Sequence, residues 1–284
     1  MRKLSLFSVV AILFLCFVGC AEREIVVENR VVVSIAPLKP IAEGILGDDF
    51  EVSVLVPQGV SPETFEPTPK QLREVESARF VLSTGLLEFE QELLRRIARN
   101  EQIINTSQGI ELIAGKCSHA HHKHAHGVDP HIWCSPKSLD KMARNTYNAI
   151  ISEMPDSVKY KMAFNDLIIK ISDLNMEVSK KCFTDETDKA FVIYHPALTY
   201  LARDYQLKQI AIENEGKEPS AKRLAFIIEH ARNKGIKHIL YQSEFPASSV
   251  EIICKDINAT AVEINPLEEN VFENIRHIVS LITE

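Results

Sequence analysis

Short apolar runs alternate with amphipathic stretches along most of the chain, and this alternation predicts its secondary structure. The first unit is strand, helix, strand, in VVVSIAPL, KPIAEGILG and EVSVLVP. The same order continues through PKQLREVESA, FVLST, LLEFEQELLRRIA and QIINTS. Apolar runs separated by helical stretches are typical of parallel sheets covered by helices. The first part of the chain is therefore predicted to be an α/β lobe that ends near the segment DPHIW.

The longest helical pattern lies in the middle of the chain, at residues 156–182. Pro155 and Asp156 suit a helix start, and the stretch contains neither Gly nor internal Pro. At about 1.5 Å per residue it would extend roughly 40 Å, which is enough for a rigid spine across two lobes. Periodicity alone equally allows a plain core helix inside a single domain. Its apolar positions, spaced by three and four, are Tyr160, Phe164, Leu167, Ile171, Leu174 and Val178.

After this helix the alternation of strands and helices resumes, beginning with AFVIYHPAL and ending with NVFENIRHIVSLI, which predicts a second α/β lobe. Parallel sheets place ligands in loops at the carboxyl ends of their strands. The segments of chemical interest fall in such loops, two in each half of the chain: 57–69, 129–133, 195–196 and 265–266.

The N-terminus predicts export from the cytoplasm. Arg2 and Lys3 precede the apolar run LFSVVAILFLCFVG, which is too short for a stable membrane span and is typical of a signal peptide. Residues 17–20 resemble a bacterial lipobox with Cys20 as the lipidated residue, although Phe17 stands where leucine is usual. An ordinary cleaved signal and an anchoring helix are the alternatives, and all three place the rest of the chain outside the cytoplasm.

Composition narrows the class of partner. The 284 residues are 45% hydrophobic, which is ample for one large core or two lobes. The formal net charge of −7 argues against nucleic acid, because no basic stripe is present to replace the counterions of phosphates. A cationic ligand is compatible with this sign of charge.

The segment CSHAHHKHAHGVDPHIW is dense in histidine, with a further histidine, His131, behind Asp129 and Pro130. Imidazole is a good ligand for Zn, Cu, Ni and Fe, and such a tract has no apolar periodicity with which to pack. We interpret residues 117–127 as a metal-collecting loop. An expression tag or spacer is disfavoured because the tract is internal and apolar sequence follows it. Its accessory ligands are His119, His121, His122, His124 and His126.

Four cysteines remain when Cys16 and Cys20 are set aside. In an exported protein four cysteines could form two disulfides, in any of three connectivities. A bond between Cys117 and Cys134 would close the base of the histidine tract, whereas Cys134 could instead be a buried thiol. The four are Cys117, Cys134, Cys182 and Cys254.

Several segments occur in an order and spacing that resemble one family. They are the export signal, VPQGVSPETFEPTP, the histidine tract, DPHIW, YHPALTYLARDYQL, GKEPSAKRLAFIIEHARNKGIKHILYQSEF and VEINPL. Together they resemble the zinc and manganese solute-binding proteins of ABC transporters, the cluster A-I group, over essentially the whole mature chain. This resemblance implies two α/β lobes, each with a mostly parallel sheet flanked by helices, joined by one long backbone helix. We expect a signal peptide at 1–20, lobes at 30–154 and 188–284, and the linking helix at 155–184.

The resemblance also implies a metal site between the lobes. His131 and His195 match two of the family's ligands. The family's first histidine is replaced by Glu63, whose carboxylate can still bind zinc or manganese, and its aspartate near the last strand is replaced by Asn265. Two imidazoles and one carboxylate leave a coordination position for water or for a weaker carbonyl ligand such as Asn265.

The resemblance implies that the protein captures a divalent metal for import and passes it to an ABC permease in the inner membrane. It implies a monomer that is not an enzyme. A lipid on Cys20 would hold this monomer at the membrane. The histidine tract favours Zn²⁺; Mn²⁺ or Fe²⁺ is the alternative, because Glu63 makes the site harder. A metal-buffering or adhesion lipoprotein without a transporter is a further alternative. An open coordination position also allows a zinc-dependent hydrolase, although the chain lacks HExxH. Its conceivable general bases are Glu66, Glu213, Glu215 and Glu244.

Overall fold

The computed structural model describes residues 28–97, 102–115, 127–155, 157–183, 189–213, 217–245 and 247–284. Within these residues the strands form two four-stranded sheets, one in each half of the chain, and every pairing is parallel. The first sheet contains β1 (Glu28–Val33), β2 (Glu51–Val54), β3 (Ala78–Ser83) and β4 (Ile103–Asn105), in the order β2-β1-β3-β4. The second contains β5 (Ala190–Ile193), β6 (Lys208–Ala211), β7 (His238–Tyr241) and β8 (Thr260–Glu263), in the order β6-β5-β7-β8.

Helices connect the strands, as the alternating pattern predicts. In the first half they are α1 (Lys39–Leu46), α2 (Pro69–Ser77), α3 (Glu88–Ile97) and α4 (Pro136–Glu153). The long helix α5 (Val158–Cys182) follows, and then come α6 (Thr199–Asp204), α7 (Ala221–Asn233), α8 (Ser248–Ile257) and α9 (Val271–Thr283). The α/β class with two parallel sheets is thus confirmed, whereas the limits of the lobes, 30–154 and 188–284, stay predictions.

Helix α5 is the predicted spine. It begins at Val158, two residues later than the pattern indicated, because the Ser157 side chain caps it by accepting a hydrogen bond from the Tyr160 backbone N–H at 3.2 Å. Its 25 residues pack against α1 and α9, which belong to different halves of the chain. Helix α4, which the sequence analysis did not predict, lies along it. The predicted apolar face is buried at Tyr160, Leu167, Ile171, Leu174 and Val178 and half-buried at Phe164.

One hydrophobic core runs through both halves of the molecule. It includes Val32 of β1, Leu174 of α5, Ile193 of β5 and Ile275 of α9. Successive side chains of a strand point to opposite faces, so the neighbouring Val192 joins a second core beneath α7 and α8. Because the first core is continuous, we expect the lobes to resist opening as rigid bodies.

A buried carboxylate lies at the carboxyl end of β3. Glu90 of α3 is 1% exposed and accepts hydrogen bonds from the Thr84 backbone N–H (2.9 Å), the Thr84 hydroxyl (2.7 Å), and the Leu86 and Leu87 backbone N–H groups (both 3.2 Å). Burial raises the pKa of this carboxyl, and the hydrogen bonds oppose that rise. The Glu90 side chain therefore occupies the space at the carboxyl end of the first sheet.

The thiols in the structure are unpaired. Cys134, Cys182 and Cys254 are all buried free cysteines, and Cys117 lies outside the described residues. Two disulfides among four cysteines would require a bond between two of these three, so that expectation is wrong, whereas the alternative of Cys134 as a buried thiol is confirmed. Burial raises the pKa of the Cys134 thiol and raises that of Cys182 to about 11, which keeps both unreactive.

In the part of the chain that the structure covers, no helix has the length and apolar character needed to cross a bilayer. The signal segment and Cys20 lie outside that part.

Candidate metal site

His131 is held by a carboxylate two residues before it. An oxygen of Asp129 accepts the His131 backbone N–H at 2.9 Å and lies 2.8 Å from Nδ1 of the ring. Burial would raise the pKa of Asp129, but its hydrogen bonds and charge interaction with His131 outweigh burial and lower it. Asp129 is therefore an ionised group that closes a tight turn and fixes the imidazole at once.

His195 stands two residues beyond the end of β5 and is held from the two neighbouring strands. Its Nδ1 lies 2.9 Å from Oε1 of Glu213, which follows β6. Its backbone N–H donates to Oε1 of Gln242 at 3.3 Å, and its carbonyl accepts from Nε2 of the same side chain at 3.0 Å. Gln242 directly follows β7. Because β5 lies between β6 and β7, His195 sits where parallel sheets place their ligands, as predicted.

The structure brings His131 and His195 together from opposite halves of the chain. Their ring centroids are 5.2 Å apart with an interplanar angle of 68°. In each ring a carboxylate lies at Nδ1, which favours the tautomer with the proton on Nδ1 and leaves the lone pair of Nε2 for a ligand. Two imidazoles backed by carboxylates, each with Nε2 available, are a suitable donor set for a borderline dication.

The charges around His195 favour a cation. Burial alone would lower the pKa of this imidazole, but the hydrogen bond and charge of Glu213, with the charges of Glu63 and Asp129, outweigh burial and raise it. The same negative field that stabilises an imidazolium stabilises a bound metal ion, which takes the proton's place at the ring.

Glu63 lies on the exposed loop after β2. Its backbone N–H donates to the Ser61 hydroxyl at 3.3 Å, and two residues later the buried Phe65 packs edge-on against Phe89 of α3, with centroids 5.2 Å apart. Among the residues that the structure covers, no three His, Cys, Asp or Glu side chains are grouped closely enough to hold a metal ion. The structure thus pairs the two histidines, while the charge of Glu63 reaches His195 from the loop.

Asn265 has a local role in the structure. Its Oδ1 accepts the Leu267 backbone N–H at 2.9 Å, which closes the turn after β8. The carbonyl of the next residue, Pro266, accepts the indole N–H of Trp133 at 2.8 Å. The Trp133 ring centroid is 5.3 Å from that of His131. The loop after the last strand is therefore tied to the His131 segment through Trp133, while the Asn265 oxygen is engaged elsewhere.

The histidine tract lies outside the described residues, and the residues on either side of it pair with each other. Gly115 donates its backbone N–H to the Gly127 carbonyl at 2.6 Å, and Ala114 and Val128 form an antiparallel bridge. A Cβ atom at Gly115 would come within 2.9 Å of the Val128 backbone, so this close approach requires glycine. The residues that flank the tract therefore form a short antiparallel stem just before Asp129.

Sequence reasoning missed the residues that support the histidines. Asp129 was noted only as a neighbour of His131, Glu213 only as a possible general base, and Gln242 not at all. Glu213 and Gln242 follow strands and Asp129 precedes the predicted ligand His131, so attention to strand ends and to the neighbours of predicted ligands could have found them. As for the other possible bases of a hydrolase, Glu66 and Glu244 are exposed and Glu215 lies outside the described residues.

The chain is similar to proteins of zinc uptake over most of its length. The family model of ZnuA, the periplasmic component A of the zinc-uptake complex, matches residues 31–284. The zinc-binding protein AdcA of Streptococcus pyogenes serotype M3 is 26% identical over 94% of this chain and 56% of its own length. The chain thus spans little more than half the length of that relative.

Two further comparisons cover more of the matched protein. The high-affinity zinc uptake system protein ZnuA of Bacillus subtilis strain 168 is 29% identical over 84% of this chain and 78% of its own length. A crystal structure of ZnuA superposes with a TM-score of 0.80 at 32% identity, over 89% of this chain and 97% of that one.

Proposed function

Because the chain belongs to the ZnuA family of periplasmic zinc-uptake components, we propose that it is a solute-binding protein that captures Zn²⁺ between its two halves. The observation that carries this proposal is the pairing of His131 with His195, with ring centroids 5.2 Å apart and a carboxylate at each Nδ1. Two imidazoles that are already held in position lose little conformational entropy when an ion binds, which favours tight binding.

Glu63 supplies the third ligand in this proposal. It lies on an exposed loop, and its charge already acts on His195, so local closure of the loop adds a carboxylate oxygen to the two nitrogens. Water is the better fourth ligand, because the Asn265 oxygen would have to give up its hydrogen bond from Leu267. The continuous core through both lobes favours such a loop movement over a wide hinge.

Zinc is the cargo that the donor set fits best. Imidazole nitrogen prefers borderline metals, whereas manganese prefers sites built from oxygen. The relatives AdcA and ZnuA are named for zinc binding and zinc uptake. Mn²⁺ or Fe²⁺ is the runner-up, because Glu63 contributes an oxygen and a negative charge.

Delivery to a membrane permease of the ABC type completes the proposed cycle. The loaded form, with the Glu63 loop ordered by metal, is the form that the permease recognises. A lipid on Cys20 holds the protein, as a monomer, close to that permease. The role requires no chemistry on the cargo, so the protein acts as a carrier and not as an enzyme.

Titration with zinc tests the proposed ligands. We expect His131→Ala and His195→Ala each to weaken tight zinc binding at least about a hundredfold, because water replaces an inner-sphere nitrogen poorly in a cleft. His277→Ala, on the exposed side of α9, is the matched control and should bind as the parent does. Parent-like binding by either ligand variant would show that the ion is held elsewhere.

A further inference from the structure

An aromatic ring lies against the face of His195. The centroid of Phe245 is 5.1 Å from that of His195, with an interplanar angle of 14°, so the rings are stacked. Phe245 also stacks with Tyr194, with centroids 5.1 Å apart and an angle of 29°. Phe245 therefore contacts both residues that follow β5.

The hydrogen bond to Glu213 leaves one motion of the imidazole unrestrained. The ring moves through two side-chain torsions, χ1 and χ2, and a single contact at Nδ1 restrains only one combination of them, so the ring plane can still rotate. A flat surface parallel to the ring blocks this rotation. His131 meets His195 edge to face and does not supply such a surface, whereas Phe245 does.

Phe245 belongs to the same short turn that holds the His195 backbone. Residues 242–245 follow β7, and the turn is closed by the Phe245 backbone N–H, which donates to the Gln242 carbonyl at 3.1 Å. Gln242, 1% exposed, binds both the backbone N–H and the carbonyl of His195. One turn thus holds the ligand residue at its backbone and at its ring.

The other neighbour of Phe245 is itself anchored. The Tyr194 hydroxyl lies 3.4 Å from Oε1 of Glu218, and Oε2 of Glu218 accepts the Ser249 hydroxyl of α8 at 3.1 Å. Tyr194 is buried and gives Phe245 a fixed partner. Phe245 is therefore held both by the turn and, through Tyr194, by the second core.

We propose that Phe245 is a positioning residue, which sets the plane of the His195 imidazole and thereby the direction of the Nε2 lone pair. This inference rests on the proposed function, since it assigns Phe245 a role through a ligand of that site. Phe245 does not touch the ion. Its stacking keeps His195 in the binding orientation before zinc arrives and slows its departure from the ion, so its loss appears mainly in the dissociation rate.

Substitution of the flat face tests the proposal. Zinc affinity and dissociation rate would be measured by competition with a chromophoric chelator for Phe245→Leu and Phe245→Tyr. We expect Phe245→Leu to weaken binding about tenfold, within the range of aromatic pair energies, and Phe245→Tyr to bind within about twofold of the parent. Phe226→Leu, an exposed aromatic of α7 in the same lobe, is the control without effect. Phe245→Met, apolar but not flat, replaces the leucine variant if that does not fold.

NMR relaxation of the metal-free protein supplies a measurement that a merely structural role of Phe245 would leave unchanged. The motion of the His195 ring, measured from the carbon relaxation of its Cε1–H bond, should be as small in Phe245→Tyr as in the parent and larger in the leucine and methionine variants, because these lack a flat face against the imidazole. Parent affinity in both of those variants, or a tyrosine variant as weak as they are, would overturn the inference. His195→Ala separates the two claims: if it binds zinc normally the proposed site fails, and if it does not while Phe245→Leu does, only this inference fails.

Discussion

Nδ1 of His195 lies 2.9 Å from Oε1 of Glu213, and the two side chains are only 8% and 5% exposed. Burying a carboxylate to this extent costs free energy unless its charge is paired or hydrogen-bonded. Here it favours one tautomer of the proposed ligand His195 and adds a negative charge close to the proposed ion. Asp129 does the same for His131 at 2.8 Å, so both proposed nitrogen ligands have the same kind of support.

Removing the carboxylate behind His195 should weaken zinc binding. We expect Glu213→Ala to lose about ten- to a hundredfold in affinity, as is usual for groups that support a metal-bound histidine. Glu213→Gln keeps an oxygen that can accept from Nδ1 and should lose less. Chelator competition measures both, with Glu229→Ala on the exposed face of α7 as control. Equal losses in the alanine and glutamine variants would mean that charge, and not orientation, is the contribution of Glu213.

As the pH falls, zinc binding should begin to weaken at a higher pH than the ordinary pKa of imidazole would predict. The Glu213 hydrogen bond, with the charges of Glu213, Glu63 and Asp129, raises the pKa of His195 against the effect of burial. A proton therefore competes with zinc at Nε2 up to a pH above about 6.5, and below the raised pKa each unit of pH costs about tenfold in affinity.

The same shift has a consequence for the metal-free protein. Because the folded pKa is the higher one, protonation of His195 stabilises the fold below the unfolded pKa, and this contribution is lost as the pH rises through the folded pKa.

Zinc titrations between about pH 5.5 and 8, on the parent and Glu213→Gln, check whether the pH dependence of zinc binding comes from His195. The onset of weakening should move to lower pH in the variant, and an unmoved onset would assign the titration to another group.

Exchange of the loop carboxylate should change metal preference. Glu63→His replaces an oxygen ligand by imidazole, so we expect zinc binding to persist and the preference for zinc over manganese to rise about tenfold or more. Glu66→His places the same side chain three residues away on the same loop and is the matched control. Competition between the two ions by calorimetry gives the ratio. If the ratio is the same in Glu63→His and in the parent, Glu63 does not set selectivity.

Removal of the histidine tract should cost weak sites only. Deleting residues 118–126 leaves two residues between Gly115 and Gly127, which are already hydrogen-bonded, and a connection of this length suits an antiparallel stem. We expect the deleted protein to keep one tight zinc equivalent and to lose the additional weak ones. Zinc titration, with circular dichroism as a check on the fold, measures both. Loss of the tight equivalent from a folded deletion would place tract histidines in the primary site.

The fold could be predicted because its signals are local. The buried face of α5 and the strands of both sheets are set by apolar periodicity that is visible within a few residues. Helix α4 was missed although Pro136 stands at its first position, as is typical of a helix start. The two-disulfide expectation was wrong because cysteine number carries no distances, and the structure buries three of the thiols separately.

The site was harder to predict because its partners are distant in the sequence. His131 and His195 were chosen through motifs, but their supports come from other strands, with Gln242 lying 47 residues from His195. The ring stack of Phe245 depends on the orientation of a turn, which residue type does not reveal. Asn265 was chosen by its position in a motif, and the structure engages its oxygen with Leu267.

The buried carboxylate of Glu90 bears on how many ions the folded body can load. The two sheets have the same strand order, so the architecture repeats the kind of crevice in which His195 lies. In the first sheet the loop after β3 closes around Glu90, whose oxygens take up the donors of Thr84, Leu86 and Leu87. The end of the first sheet is thus occupied by the Glu90 side chain, whereas the end of the second carries His195, which lies against His131. For the proposed carrier, this difference between the two sheets favours a single tightly held ion in the folded body.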